Sequence, residues 1–250
     1  MTFLKLFSII SLITFIFTGC NNENDFKNPK DFLSFSQEFL LQQKSGNETE
    51  AFIDTLKNLD NTILIASLNS DEKKIAFWLN CYNALVQYKL SKDSTIYKNK
   101  KAFFTGQSIT IGGEKMSLNS IENGILRLQT ESKNESLFKQ LRPTKLNYRI
   151  HFALNCGANS CPPIAFYDPT DLEQQLTLAE KSFVKSTSSY DTAKNEVEIS
   201  ELFKWYKKDF NTENGIIDLL KRNQIIPLWT NPKITYSKYD WSIDNNNYSD

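Results

Sequence analysis

Apolar residues fall at helical spacing through the first part of the chain. In DFLSFSQEFLLQQ they are Phe32, Phe35, Phe39 and Leu40, and in AFIDTLKNL they are Phe52, Leu56 and Leu59, which predicts two amphipathic helices. SDEKKIAFWLNCYNALVQYKL opens with Ser70 as an N-cap and acids in the first turn. From Ile75 to Leu90 it is apolar on nearly every face, so it is predicted as a central, buried helix. Asn80 and Asn83 ride on that helix one turn apart. Buried amides need partners, so both are expected to bond neighbouring backbone, with Cys81 between them as a small packing residue.

The period then shortens. SITIGGEKMSL alternates through Ile109, Ile111, Met116 and Leu118 around Gly112 and Gly113, the pattern of a hairpin. SLNSIENGILRLQ returns to helical spacing over about three turns, capped by Ser117 or Asn119, with Glu122 and Arg127 projecting from it. KLNYRIHFALNC alternates Ile150, Phe152 and Leu154 as a strand with one apolar face. DPTDLEQQLTLAEKSFV is predicted to start a helix at Asp168, with Pro169 in its first turn. NEVEIS reads as a strand leading to the Ser200-capped helix ELFKWYKKDF, NGIIDLLKR as another helix, and KITYSKYDW as a last strand. Segregated helices and strands predict an α+β fold, a buried central helix packed on a small, mainly antiparallel sheet.

The N-terminus changes the setting. MTFLKLFSIISLITFIFTGC carries Lys5, then an apolar run from Leu6 to Phe17, then Thr18 and Gly19 before Cys20. That is a secretory layout and too short for a spanning helix. Its Phe-Thr-Gly-Cys resembles a bacterial lipobox, implying removal of residues 1–19, a lipid on Cys20 and membrane attachment through it. Asn21 at the next position resembles the signal for outer-membrane delivery. Residues 20–30 are polar and aperiodic, as expected of a tether. About 230 residues would remain after cleavage, and no linker or repeat divides them, so 31–250 is expected to be one domain.

Charge narrows the partners. Acidic and basic residues number 29 each, with no basic stripe to suggest nucleic acid. The 18 Phe, 10 Tyr and 4 Trp supply a large core. An envelope peptide, glycan or protein is the expected partner class, and no cofactor is called for.

AFWLNCYNAL, SLNSIENGILR, HFALNCGANSCPP, FKWYKKDF and YDWSID, in that order, together resemble the family catalogued as domain of unknown function 547, over roughly residues 70–245. The resemblance implies no reaction. The chemistry has to come from HFALNCGANSCPP, which holds the only histidine and two of the four cysteines.

Several readings compete there. A Cys-His hydrolase or acyltransferase must use His151 as base. Cys156 is favoured over Cys161 as nucleophile, because Gly157 and Ala158 offer amides for an oxyanion whereas Pro162 and Pro163 offer none. On a regular strand His151 and Cys156 face opposite ways, which keeps Cys161 open as the nucleophile. Glu122 is the first candidate to orient the imidazole, with Asn80 and Asn83 behind it. The order of His before Cys resembles permuted papain-like hydrolases. Alternatively Cys156 and Cys161 form a disulfide, as export permits, and the domain is a binding or structural module. Zinc on His151, Cys156 and Cys161 fits no familiar ligand spacing, so no metal site is assigned.

Overall fold

The computed structural model describes residues 28–129 and 135–249. The expected signal segment, Cys20 and most of the tether lie outside them. Helix α1 (Phe32–Lys44) begins at Asp31, whose carboxylate accepts from the amides of Leu33 and Ser34. Helices α2 (Glu50–Lys57) and α3 (Asn61–Ser67) follow, then α4 (Asp71–Lys92). Ser70 Oγ accepts from the Lys73 amide at 3.3 Å. Acids in the first turn and Lys89 and Lys92 in the last suit the α4 dipole. Every residue of α4 from Ile75 to Gln87 is buried, as its lack of a polar face requires.

After a 3-10 turn (Ser94–Lys98) and α5 (Lys100–Thr105), strands β1 (Ile109–Ile111) and β2 (Glu114–Met116) form the hairpin. Gly112 and Gly113 have φ of +56° and +78°, the left-handed pair that a two-residue hairpin turn needs. Their amides close on the Leu56 and Lys57 carbonyls at the end of α2. Helix α6 (Glu135–Leu141) precedes α7 (Leu172–Ser186). Strands β3 (Ser189–Asp191), β4 (Glu196–Ser200) and β5 (Lys233–Ser237) make a second sheet in that order. The β4–β5 pair is parallel, and its obligatory crossover carries α8 (Leu202–Trp205) and α9 (Thr212–Arg222). The fold is α+β, with its strands divided between two small sheets, one of them mixed. α4 packs chiefly against α1, not on a sheet.

Three local expectations are corrected. The segment around His151 is not a strand: Tyr148–Phe152 is a 3-10 turn, with Asn147 Oδ1 accepting from the Arg149 amide. The turn bridges two apolar clusters. Ile150 belongs to the one built around α1 and α4, and Phe152 to the one under α7, α9 and the three-stranded sheet. Alternation in the sequence therefore marks two cores rather than one sheet face. The three-turn helix at 117–129 is instead a π-helical turn, Ser120–Leu126, with the Arg127 amide reaching back to the Glu122 carbonyl at 2.8 Å. Arg142 Nε takes the Gly124 carbonyl at 2.7 Å, which removes that acceptor from a regular helical ladder. Finally, Asp168 folds a turn with the amide and hydroxyl of Thr170, so that α7 starts only at Leu172.

Candidate functional site

The junction of the two clusters is where polar chemistry gathers. Tyr206, Asp209 and Phe210, one face of the turn after α8, all meet the imidazole of His151. Tyr206 stacks on it with ring centres 3.9 Å apart, and Phe210 lies 5.5 Å away. Asp209 Oδ2 is 2.8 Å from His151 Nε2 and 2.6 Å from Arg127 Nε. Arg127 also donates to Asn123 Oδ1 and covers the Tyr206 ring at 4.7 Å. Tyr206 is thus held between a cation and an imidazole.

Electrostatics set the protonation states. Burial works to raise the Asp209 carboxyl, but the hydrogen bonds from His151 and Arg127 and the guanidinium charge prevail and bring it to about 2. Burial holds His151 below its usual 6.5, and the Arg127 charge adds to the effect. The imidazole is therefore neutral at neutral pH. An ionised carboxylate can only accept, so Nε2 carries the proton and Nδ1 has the lone pair. Asp209 is the orienting carboxylate that the sequence reading assigned to Glu122. Glu122 accepts instead from the hydroxyls of Tyr206, at 2.6 Å, and Tyr82, at 3.1 Å. Its charge, like that of Asp209, works against burial to raise His151. Burial, and then the Glu122 charge, push both phenols far above their ordinary range, so both hydroxyls remain donors.

The second group is the loop that follows. Asn83 fixes both ends of its approach, donating to the Ala153 carbonyl at 3.0 Å and accepting from the Asn155 amide at 2.9 Å. One turn earlier Asn80 grips Tyr167 in the same two-handed way, each bond at 2.9 Å. Both amides therefore hold backbone, and neither touches His151. Cys156 and Cys161 are joined in a disulfide, and Cys81 is a buried free thiol in α4. The Gly157 amide is taken by Asn155 Oδ1 at 2.8 Å. The amides of Cys156 and Ala158 point at Cys161 Sγ, at 2.9 and 3.4 Å. The oxyanion donors expected at Gly157 and Ala158 are thus already engaged.

The C-terminal segment closes this loop. Amides of Asn159 and Ser160 donate to the carbonyls of Ser242 and Asp240, and that of Asp244 to the Gly157 carbonyl. Tyr239 comes with it, its hydroxyl 3.3 Å from Cys161 Sγ and 3.4 Å from Cys156 Sγ.

Gly157 has φ of +85°, and a Cβ there would lie 2.5 Å from Leu90 Cδ1. Gly157→Ala should lower the unfolding free energy by about 2–4 kcal/mol, combining left-handed strain with overpacking. Gly113→Ala, at a comparable φ but in open space, should cost about 1–2 kcal/mol. Urea midpoints of the two variants measure the difference.

A cavity of about 340 Å³ lies between the two groups. Its wall includes His151, Glu122 and Cys156, and its rim the aromatic trio Trp205, Tyr239 and Trp241. Among the described residues no hydrogen bond joins His151 to either sulfur, and no cluster of three or more His, Cys, Asp or Glu forms a metal site.

Asp209 and Tyr206 are the residues that sequence reasoning missed. Their signal was present in FKWYKKDF, where an acid sits among aromatics at positions 206, 209 and 210. An acid on the apolar face of a turn calls for a buried partner, and only one imidazole exists.

Fold and site together define an α+β domain with an aromatic-walled cavity over a disulfide and a carboxylate-bound histidine. Residues 65–184 match the family model described as Protein of unknown function, DUF547. The match takes in His151, Glu122 and both bonded cysteines, and it ends before Tyr206, Asp209 and Tyr239. No curated protein and no solved structure matches the chain.

Proposed function

We propose that this chain is a cysteine-dependent hydrolase or acyltransferase acting on peptide, amide or ester bonds, with its nucleophile masked in the disulfide state. One observation carries the reading: Cys156 and the Asp209-bound His151 line the same cavity. After reduction, Cys156 Sγ would add to an acyl carbon bound there. His151 would take the thiol proton at Nδ1 and return it to the departing amine or alkoxide, leaving a thioester for water or an acceptor to resolve. Asn119, also on the cavity wall, offers a side-chain N–H to the developing oxyanion.

The lipobox-like start places this activity, in the same proposal, on a lipid-anchored envelope protein, with outer-membrane delivery suggested by Asn21. No helix among the described residues is long and apolar enough to cross a membrane. In this proposal attachment is through the lipid at Cys20.

The test is alkylation of the reduced mature protein at graded pH, with adducts located by peptide mass. Cys156 should react rapidly below pH 7 and lose at least tenfold in rate in His151→Ala. Equal reactivity in both proteins removes the reading. A second reading, a non-catalytic binding or structural module, is favoured by the disulfide itself and by the engaged Gly157 and Ala158 amides. It would be adopted if neither thiol is activated after reduction.

A further inference from the structure

The two sulfurs of the disulfide are not equivalent. Cys156 is half-buried and lines the cavity, whereas Cys161 is 5 % exposed and turned away from it. The amides of Cys156 and Ala158 point at the hidden sulfur alone, and the Tyr239 hydroxyl donates to it at 3.3 Å while lying 3.4 Å from Cys156 Sγ. The left-handed Gly157 between those amides lets both point inward, the arrangement that suits an anion. A neutral disulfide sulfur is a poor acceptor, so these donors stabilise Cys161 far more as a thiolate. Thiol–disulfide exchange proceeds at an accessible sulfur and is faster when the departing thiol is the more acidic one.

We propose that this pair performs thiol–disulfide exchange with a thiol compound entering the aromatic cavity, with Cys156 as the sulfur attacked and Cys161 as the leaving thiolate. The incoming thiolate forms a bond to Cys156 Sγ as the bond between the two protein sulfurs breaks, and the electron pair stays on Cys161. A second thiolate attacks its own kind at the mixed disulfide, releasing the oxidised small disulfide and the Cys156 thiolate, which takes a proton from water. Two thiols are oxidised and one protein disulfide is reduced. The inference uses the cavity of the proposed hydrolase and supplies the step that would unmask it, yet needs none of its acyl chemistry.

The experiment treats the oxidised mature protein with glutathione, quenches with acid and maps the adducts by peptide mass. Glutathione should appear on Cys156 with Cys161 free, and exchange should be faster in the folded protein than in urea. Tyr239→Phe keeps the ring and removes one donor. It should slow the first step about tenfold and shift the glutathione equilibrium toward the disulfide by a similar factor, as expected for one hydrogen bond to an anion. Adducts on Cys161, exchange only after unfolding, or an unchanged equilibrium in Tyr239→Phe would each overturn the inference. A protein that exchanges at Cys156 but shows no His151-dependent alkylation would keep this inference and lose the hydrolase.

Discussion

Asp209→Ala is expected to lower the unfolding free energy by about 3–5 kcal/mol, the scale for removing one partner of a buried charge pair. The carboxylate is the shared acceptor for His151 Nε2 and Arg127 Nε, and all three side chains are largely shielded from water. Its loss leaves a guanidinium half-satisfied and frees the imidazole to change tautomer. Urea denaturation measures the cost, and its pH dependence identifies the cause. Both groups bind protons more weakly folded than unfolded, so the stability they contribute is complete above 6.5 and is lost as pH falls. The first loss sets in below 6.5, as the unfolded chain protonates a histidine that the folded chain keeps neutral. The second runs from about 4 down to about 2, as Asp209 protonates. In Asp209→Ala the second loss should be shallower than in the parent. An unchanged slope there would mean that other carboxylates dominate acid unfolding.

Asn83→Ala should cost about 2–4 kcal/mol, because it strands the Asn155 amide and the Ala153 carbonyl in the interior at about 1–3 kcal/mol for each unsatisfied group. The side chain is fully buried. The same variant should raise hydrogen exchange at Asn155 well before global unfolding. A loss below 1 kcal/mol would show that the loop finds other partners.

Much of the scaffold was legible in the sequence because its signals are local. Ser70 before acids and a run apolar on all sides gave α4, and two consecutive glycines between alternating apolars gave the hairpin. The expectation that Asn80 and Asn83 hold backbone followed from burial alone. What could not be read depends on contacts far along the chain. His151 lies on a 3-10 turn because Ile150 and Phe152 belong to different cores, and local alternation cannot distinguish that from a strand. Nearness in sequence points to Glu122 as the partner of His151, whereas the actual partner comes 58 residues later. The short helices α3, α5 and α6, of six or seven residues, carry too few apolar positions to establish a period.

The clasp between the Cys156–Cys161 loop and residues 239–244 bears on the order in which the molecule is made. Its partners are separated by some 80 residues. Long-range closures of this kind form late, since their entropy must be met before their contacts are gained. During synthesis both cysteines emerge before the donor at Tyr239. The loop therefore stays unclasped until residues 239–244 have been made, and the pair is fully organised only after they dock.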